Sequence, residues 1–330
     1  MSEKIIVLGS NSFSGSHFVN HCLDEGMNVV GISRSPEPEP VFLPYKSNAS
    51  IHNFTFCQLD LNRDIDGIEN RMMKFKPDYV INFAAQGMVA QSWEAPGQWL
   101  MTNAVSAIEL HDRLRKCGFL KKFVQVSTPE VYGSCEGLVK ESTSYCPSTP
   151  YAVSKAAADM SLMTFLKTYK FPVVFTRAAN VYGPGQQLYR IIPITILKFL
   201  SGEKLQLHGG GHSVRSFIHI RDVVRGTLKA ARSGNPGDIF HFSTARNISI
   251  RQLVEKIAGL MNVDFNKHVK TVRDRLGKDS AYILDSQKAA DELGWHCNVS
   301  LDDGLRETIE WVTDNFDTLR YLPEKYIHKA

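Results

Sequence analysis

Short runs of β-branched and apolar residues alternate with longer amphipathic stretches through the first half of the chain, which constrains the fold more than any other feature. The pattern predicts strands at 4–9, 28–33, 54–59, 79–83, 122–127 and 172–177. It predicts helices at 13–25, 65–75, 97–117 and 151–169. Strands that alternate with helices form a parallel sheet with right-handed crossovers and helices on both faces. Clustered prolines predict an exposed loop over 35–53.

This rhythm breaks after about residue 180, where glycine-bearing turns at 183–185, 209–211 and 234–237 separate shorter elements. The chain has 330 residues and is 43% hydrophobic, which suffices for one large domain or two smaller ones. We therefore predict an α/β fold with a doubly wound, parallel-sheet Rossmann domain over 1–180. The remainder, 181–330, is predicted to form mainly a smaller lobe that is interleaved with returns to the first.

A glycine-bearing turn, Gly9-Ser-Asn-Ser-Phe-Ser-Gly15, joins the first predicted strand to the first helix. Gly9 permits a tight turn, and Gly15 lets the helix and the strand pack closely. The helix N-terminus offers free N–H groups to a pyrophosphate. Ser12 stands where such turns usually carry a glycine, and its hydroxyl is a candidate phosphate donor. The predicted dinucleotide contacts in the turn are Gly9, Ser12, Phe13, Ser14 and Gly15.

The ends of the next three strands extend the predicted cofactor site. No acid that would bind a ribose 2′-hydroxyl directly follows the second strand, whereas Arg34 can pair with a 2′-phosphate. The sequence therefore predicts NAD(P) as cofactor and favours NADP. Asp60 and Leu61 are predicted to cradle the adenine. The small residues Ala84 and Ala85, after Phe83, let a dinucleotide pass close to the fourth strand.

A second cluster of functional side chains follows the fifth strand. Thr128 and Glu130 lie at its end, and Tyr151 and Lys155 open the next helix four residues apart, on one helical face. An ammonium beside a phenol favours the tyrosinate, so Lys155 is expected to lower the pKa of Tyr151 toward neutrality. Tyr151 then serves as general base on a substrate hydroxyl, while a hydride leaves the same carbon for the nicotinamide.

Together these motifs resemble the extended short-chain dehydrogenase/reductase family over nearly the whole chain. The segments that narrow the resemblance to its sugar-nucleotide 4,6-dehydratases are 84–96, 127–133, 151–155, 177–184 and 274–279. The segment around Gln86 and the strand end at Arg34 are most similar to the members that act on GDP-mannose.

The resemblance implies a reaction and roles for four residues. Tyr151 deprotonates the C4 hydroxyl of the sugar, Lys155 holds the cofactor ribose, and Thr128 hydrogen-bonds the C4 oxygen. The resulting ketone acidifies the C5 proton, which Glu130 removes. Water leaves from C6 and the hydride returns there, so the cofactor stays bound. The 4-epimerases of the family need no base at C5, and Glu130 therefore favours the dehydratase.

Pro129 departs from the pattern of many dTDP-glucose dehydratases, which place an acidic Asp directly before this glutamate. Proline cannot donate a proton and also lacks an N–H. Three outcomes stay open: Glu130 or a water serves as the acid, the substrate is a uronic acid that decarboxylates, or the product is an unusual dehydrated sugar.

The resemblance also places the substrate and a partner. Gln86 and Asn180 are expected to contact the substrate, and Arg215 and Arg275 match positions that grip its diphosphate, which suits a guanidinium fork. The substrate is expected to be a nucleotide-diphosphate sugar. Family members pair two amphipathic helices between subunits, so a homodimer is expected by analogy.

Composition excludes several other classes. The formal charge of +4 without a long basic block argues against nucleic-acid binding. The six cysteines form no Cys-x-x-Cys pair, and the histidines follow no trusted ligand spacing, so no metal site is expected. The apolar run at 5–8 is too short for export or a membrane span, and a cytoplasmic location is expected. A 4-epimerase, a decarboxylase and a non-catalytic dinucleotide-binding protein are the competing hypotheses.

Overall fold

The computed structural model describes residues 2–135, 137–273 and 283–329. In those residues the strands are β1 (Lys4–Leu8), β2 (Asn28–Ser33), β3 (Phe54–Gln58), β4 (Tyr79–Asn82), β5 (Lys122–Val126), β6 (Leu138–Val139), β7 (Val173–Ala178), β8 (Asn180–Tyr182), β9 (Leu205–His208), β10 (Val214–His219), β11 (Ile239–Phe242), β12 (Asn247–Ser249), β13 (Val269–Val272) and β14 (Ile283–Leu284). The α-helices are α1 (Phe13–Asp24), α2 (Ile65–Phe75), α3 (Pro96–Leu100), α4 (Ala107–Leu114), α5 (Pro150–Tyr169), α6 (Ile191–Leu200), α7 (Ile220–Ser233), α8 (Ile250–Leu260), α9 (Phe265–His268), α10 (Gln287–Leu293), α11 (Leu301–Asp314) and α12 (Phe316–Leu319).

Seven strands form one parallel sheet in the order β3-β2-β1-β4-β5-β7-β11. The strand order reverses between β1 and β4, and a crevice opens at the carboxyl ends of the strands at such a point. All six strands predicted from the sequence are present in this sheet. The predicted doubly wound α/β fold is confirmed.

The sheet is buried on both faces, which explains the unbroken apolar run of β1. Ile5 and Val7 pack into a core with α1 and α7, whereas Ile6 and Leu8 pack on the opposite face with α2, α4 and α5. Successive strand side chains point to opposite faces, so a strand covered on both sides is mostly apolar. None of the helices in the described ranges is long and apolar enough to cross a membrane.

A second lobe is built on three small sheets and a separate core. Strands β12, β10 and β8 form one sheet, while β13 pairs with β9 and β14 with β6. Ile196 of α6, Leu253 of α8 and Leu305 of α11 share the core of this lobe. Helix α7 and strand β11 follow residue 180 in the chain but pack on the large sheet. The division into 1–180 and 181–330 stays a prediction, and these two elements are returns of the kind it includes.

The predicted exposed loop over 35–53 is only partly exposed. Three 3₁₀ turns follow one another there, at Pro40–Phe42, Pro44–Ser47 and Ile51–Asn53. Leu43 and Tyr45 are buried in the core beside α1. The prolines begin two of these turns rather than extending the chain, and the turns direct the two apolar side chains inward. The expectation of exposure was wrong for Leu43 and Tyr45.

The helix predicted over 97–117 is interrupted by a wider turn. Between α3 and α4, the segment Met101–Ser106 is a π-helix. Such insertions occur mostly at functional sites, because the extra residue redirects one side chain. Here Asn103 lies in the π-helix and is buried.

His111 of α4 allows a test of how burial shapes stability. Its ring is fully buried edge-on to Phe123, and neither ring nitrogen has a hydrogen-bond partner. Burial and, to a smaller extent, the charge of Lys155 lower the pKa of His111 from 6.5 to about 3. The unfolded chain therefore binds a proton near pH 5 that the folded chain does not, and stability is lost as the pH falls below about 6.5.

We expect His111→Leu to remove this penalty, so its effect on the free energy of unfolding is more favourable near pH 5 than near pH 8 by about 2 kcal/mol. Denaturant titrations at the two pH values measure the difference. His52→Leu, at an exposed position, controls for the loss of a histidine itself. An equal effect of His111→Leu at both pH values would contradict the argument.

Candidate active site

The turn between β1 and α1 has the geometry that its glycines predict. Gly9 has a positive φ of 78°, and a Cβ there would lie 2.7 Å from the backbone nitrogen of Ala84. A Cβ on Gly15 would lie 2.1 Å from the carbonyl oxygen of Gly9. Any side chain at either position would therefore push α1 away from β1 or β4. The two glycines place the start of α1 directly against the sheet edge.

Ser12 is the N-cap of α1. Its hydroxyl accepts a hydrogen bond from the Gly15 N–H at 3.0 Å and donates to the Gly9 carbonyl at 2.7 Å. This side chain therefore holds the turn closed, whereas the sequence suggested a phosphate donor. Free N–H groups in the first turn of a helix point out of its N-terminal end, which is the arrangement that an anion requires.

A cavity of about 270 Å³ opens beside this turn, along the carboxyl ends of β1, β2, β3 and β4. The residues predicted for the cofactor that line it are Gly9, Ser12, Arg34, Asp60, Leu61, Phe83, Ala84 and Ala85. Phe13, Ser14, Gly15, Tyr151 and Lys155 are not among its lining residues. The cavity begins at the capped N-terminus of α1, where a dinucleotide binds in folds of this type, and the contacts of Asp60 and Leu61 with the adenine stay a prediction.

Gln86, which the resemblance assigned to the substrate, also lines this cavity. Its backbone N–H donates to Asn103 at 2.7 Å, and its side-chain amide donates to the carbonyl of Lys329 at 2.9 Å. Arg34 donates to the same carbonyl at 2.9 Å. The structure thus places Gln86 together with the residues predicted for the cofactor.

Thr128, Glu130 and Tyr151 meet at the end of β5. Thr128 caps a 3₁₀ turn over Pro129–Tyr132, and its hydroxyl accepts a hydrogen bond from the Glu130 N–H at 3.3 Å. The Thr128 hydroxyl also hydrogen-bonds the Tyr151 phenol, and the Glu130 carboxylate acts on that phenol through its charge. Pro129 is buried and starts the turn with the fixed φ that a helical first position needs.

The electrostatic surroundings of Tyr151 differ from the expectation. Burial raises the pKa of the Tyr151 phenol, and the Glu130 carboxylate raises it further. The hydrogen bond from Thr128 and the guanidinium of Arg190 lower it by less. Lys155 is not among the groups that shift the pKa of Tyr151. The expectation that Lys155 brings the phenol toward neutrality was wrong for this structure.

Lys155 is itself buried one turn below Tyr151. Its ammonium donates to the Val126 carbonyl at the end of β5, at 2.8 Å. Burial lowers the pKa of Lys155 to about 8, and the Asp159 carboxylate opposes that shift. At pH 7 the side chain is therefore still mostly protonated and can donate hydrogen bonds.

A fully buried ion pair that the sequence argument did not single out lies beneath these residues. Arg177 of β7 donates to the Asp159 carboxylate of α5 at 3.0 Å, and both side chains are 0% exposed. Ser127 donates to the same carboxylate oxygen at 2.5 Å. Both charged residues fall in apolar segments of the sequence, at α5 and β7, and charges in such positions are rare without a partner. That contrast was the signal that could have found them.

Asn103 connects the cavity to the helix that carries Tyr151. Its amide donates to the Gln86 carbonyl at 3.0 Å and to the Ser154 hydroxyl at 2.9 Å. Ser154 donates in turn to the Tyr151 carbonyl at 2.7 Å. The π-helix directs Asn103 inward at this level, so the cavity and α5 are fixed relative to each other by buried hydrogen bonds.

The predicted substrate residues lie in the second lobe. Asn180 begins β8 and donates to the Ser216 carbonyl of the adjacent strand β10 at 3.2 Å. Arg215 directly precedes Ser216 on β10. Asn180 is exposed and Arg215 half-buried. Arg275 lies outside the described residues. In the part of the chain that is described, no three His, Cys, Asp or Glu side chains are grouped as a metal ion would require.

Gly15→Ala tests the close approach of α1 to the sheet. The added Cβ must displace the Gly9 carbonyl, so we expect a loss of about 1–3 kcal/mol in the free energy of unfolding and weaker dinucleotide binding. Denaturant unfolding and a binding titration measure the two effects. Gly97→Ala is the matched control, because its Cβ would meet no atom within 4 Å. Equal results for the two variants would contradict the proposed role of Gly15.

Comparison with known proteins agrees with this geometry. The family model described as GDP-mannose 4,6 dehydratase matches residues 6–308. A dTDP-glucose 4,6-dehydratase of Streptomyces antibioticus is 33% identical over 320 residues, which cover 94% of this chain and 93% of that protein.

Two solved structures have the same fold. The crystal structure of a dTDP-glucose 4,6-dehydratase from Streptomyces venezuelae, with NAD and TYD bound, has a TM-score of 0.86 and 30% identity, covering 95% of this chain and 98% of that one. A UDP-glucose 4-epimerase from Thermotoga maritima with UDP-glucose has a TM-score of 0.86 and 29% identity, covering 95% and 99%. The chain thus belongs to the GDP-mannose 4,6 dehydratase family, the sugar-nucleotide dehydratases of the extended short-chain dehydrogenase/reductase type.

Proposed function

We propose that the protein is an NAD(P)-dependent 4,6-dehydratase of a nucleoside-diphosphate hexose. The observation that carries the proposal is the position of Glu130 beside Tyr151, fixed by the Thr128 cap. A carboxylate there can reach the carbon next to the one whose hydroxyl Tyr151 deprotonates. The related enzymes named for dTDP-glucose make that sugar nucleotide the first substrate to test.

The first half of the reaction requires a tyrosinate. Tyr151 takes the proton of the C4 hydroxyl, and Thr128 donates a hydrogen bond to the oxygen that becomes the ketone. Arg190, at the N-cap of α6, is the cation whose charge lowers the pKa of Tyr151. The chemistry that a bound NAD(P) supplies is reversible hydride transfer, from C4 and later to C6.

The second half depends on Glu130. Its carboxylate removes the C5 proton, which the C4 ketone has made acidic, and the resulting carboxylic acid then protonates the departing C6 hydroxyl. One residue can serve as base and then as acid because both groups lie on adjacent carbons. This supplies the acid that Pro129 cannot provide. The C5 proton leaves with the C6 hydroxyl as water. The proton that Tyr151 took from the C4 hydroxyl replaces it at C5, so the net change is the loss of one water.

A 4-epimerase is the strongest alternative, because an epimerase shares this fold. Epimerisation needs only the removal and return of a hydride at C4, and a carboxylate beside the phenol would raise the phenol pKa without contributing to the reaction. The Glu130 carboxylate beside the phenol therefore favours the dehydratase over the epimerase. A decarboxylase of uronic acids would release carbon dioxide from the same ketone intermediate.

For the cofactor we propose NADP. Arg34 follows β2 at the edge of the cavity, where the adenosine ribose of a dinucleotide lies in this fold. Its guanidinium suits the two negative charges of a 2′-phosphate.

For the substrate, we propose that Asn180, Arg215 and Arg275 contact the nucleotide diphosphate.

We further propose that two copies of the chain associate through α4, α5 and the π-helix that directly precedes α4. Apolar side chains stay exposed on these elements, among them Met101 at 48%, Val105 at 54% and Met160 at 53%. An apolar face of this kind on two adjacent helices favours a protein partner.

The proposed location is the cytoplasm, because all six cysteines are free.

The decisive experiment incubates the protein with dTDP-glucose, UDP-glucose, GDP-mannose and CDP-glucose in D₂O. A dehydratase releases one water from one of them and incorporates deuterium at C5. Glu130→Gln should reduce C5 exchange by about 10²–10⁴-fold while the initial reduction of the cofactor persists. Mass spectrometry follows the exchange, and nicotinamide absorbance follows the reduction.

Glu94→Gln, which removes an exposed acid in the loop after β4, is the control and should react as the unmodified protein does. Exchange at C5 that survives in Glu130→Gln would refute the role of Glu130. An unchanged mass with inverted C4 would identify an epimerase, and loss of carbon dioxide a decarboxylase.

Arg34→Ala tests the cofactor. We expect NADP affinity to fall about 10–100-fold more than NAD affinity, because a charged hydrogen bond contributes about 1.5–3 kcal/mol. Binding titrations with both dinucleotides measure the ratio. Arg63→Ala removes an exposed guanidinium beyond β3 and controls for net charge. A proportionate loss for both dinucleotides would argue against a 2′-phosphate contact.

A further inference from the structure

The last described residues, 322–329, contain no helix or strand and form a segment that we call the C-terminal strap. Its even-numbered side chains are half-buried and its odd-numbered ones are exposed, without interruption from Leu322 to Lys329. A segment whose alternate side chains are covered lies with one side against the protein. The strap therefore runs along a surface rather than away from it.

One end of the strap is held by the second lobe. Glu324 forms an ion pair with Lys198 of α6 at 2.7 Å. The ring of Tyr326 packs edge-on against Tyr189, with 5.5 Å between the centroids. Tyr189 precedes Arg190, whose charge reaches Tyr151, so this part of the strap passes the entrance to the proposed sugar site.

The other end of the strap is held by the first lobe. The ring of His328 stacks on Trp99 of α3, with centroids 4.9 Å apart and planes 15° from parallel, and it hydrogen-bonds Gln98. The carbonyl of Lys329 accepts hydrogen bonds from Arg34 and Gln86, both at 2.9 Å. Its ammonium donates to the Ser35 hydroxyl at 3.3 Å.

These contacts make Lys329 part of the wall of the dinucleotide cavity. The cavity lies between the sheet edge and the strap, since Gly9 and Ala84 line it from the sheet and Lys329 from the strap. We propose that the C-terminal strap is a cofactor-binding element: it closes over a dinucleotide, and Lys329 contacts the ligand beside Arg34.

The proposal rests on the assignment of this cavity to NAD(P), and the reaction gives it a purpose. The hydride that leaves C4 must return to C6 of the same sugar, so a cofactor lost between the two steps would leave an oxidised intermediate behind. An element that slows dinucleotide release prevents this. Its anchors are a partly exposed ion pair, ring contacts and a few separate hydrogen bonds, each individually weak, so the strap can open without unfolding either lobe.

The test measures how fast a dinucleotide leaves. The protein is loaded with NADH or NADPH, an excess of the oxidised form is added, and nicotinamide fluorescence reports the release. Truncation after Leu322 should accelerate release about tenfold or more, an effect on dissociation rather than association. His328→Ala and Glu324→Gln leave the chain at full length and should each accelerate release about threefold or more, a change in the same rate constant.

Two matched variants serve as controls. Lys325→Ala alters an outward-facing residue of the strap, and Glu203→Gln removes the other partner of Lys198 without touching the strap. Both should release the dinucleotide at the unmodified rate. An unchanged rate in the truncated protein would overturn the proposal, and so would slower release, which would show that the strap competes with the dinucleotide.

The two proposals can fail separately. If the full-length protein binds no dinucleotide, the cavity has been assigned wrongly, and the strap proposal falls with it. If it binds one and turns over a sugar nucleotide while strap variants release the dinucleotide at the unmodified rate, only the strap proposal is refuted.

Discussion

The buried pair of Asp159 and Arg177 is the interaction on which the site depends. It joins α5 to β7, and Ser127 binds the same carboxylate from the end of β5. Arg177 also donates to the Ser142 carbonyl and lies 4.6 Å from the centre of the Tyr132 ring. Burying both charges is costly, and these partners offset that cost. Removing either charge would leave the other uncompensated, at about 3–5 kcal/mol.

The same pair sets the geometry of the reaction. Asp159 lies one helical turn beyond Lys155, whose charge it favours, while Ser127 directly precedes the Thr128 cap that holds Glu130. The buried Asp159 carboxylate thus favours the charge of Lys155 on its own helix and holds Ser127 at the end of β5. The Val126 carbonyl orients Lys155 and the Asp159 charge favours its protonated form, while Thr128 and Arg190 favour the tyrosinate.

The sequence predicted the parts of the fold that depend on local patterns. The periods of the strands and helices predicted the sheet. Gly9 and Gly15 predicted the turn, because only a residue without a Cβ fits against Ala84 or the Gly9 carbonyl. What it missed depends on distant contacts. Leu43 and Tyr45 are buried because α1 lies beside them, and the π-helix directs Asn103 toward Gln86 across 17 residues. Neither fact is visible in a local window.

Contacts between the lobes are the hardest to predict, and they decide what the site can retain. The proposed catalytic side chains follow the carboxyl ends of strands in the large sheet or belong to α5. Arg190 and Asn180 approach them from the second lobe. In a sheet of this type the crevice must stay open enough to admit two ligands, yet the intermediate must meet the same hydride carrier twice. Rigid packing meets only the second demand. A segment attached to both lobes through weak contacts, such as Glu324 with Lys198 and His328 with Trp99, meets both, because it can release and rebind independently of either core.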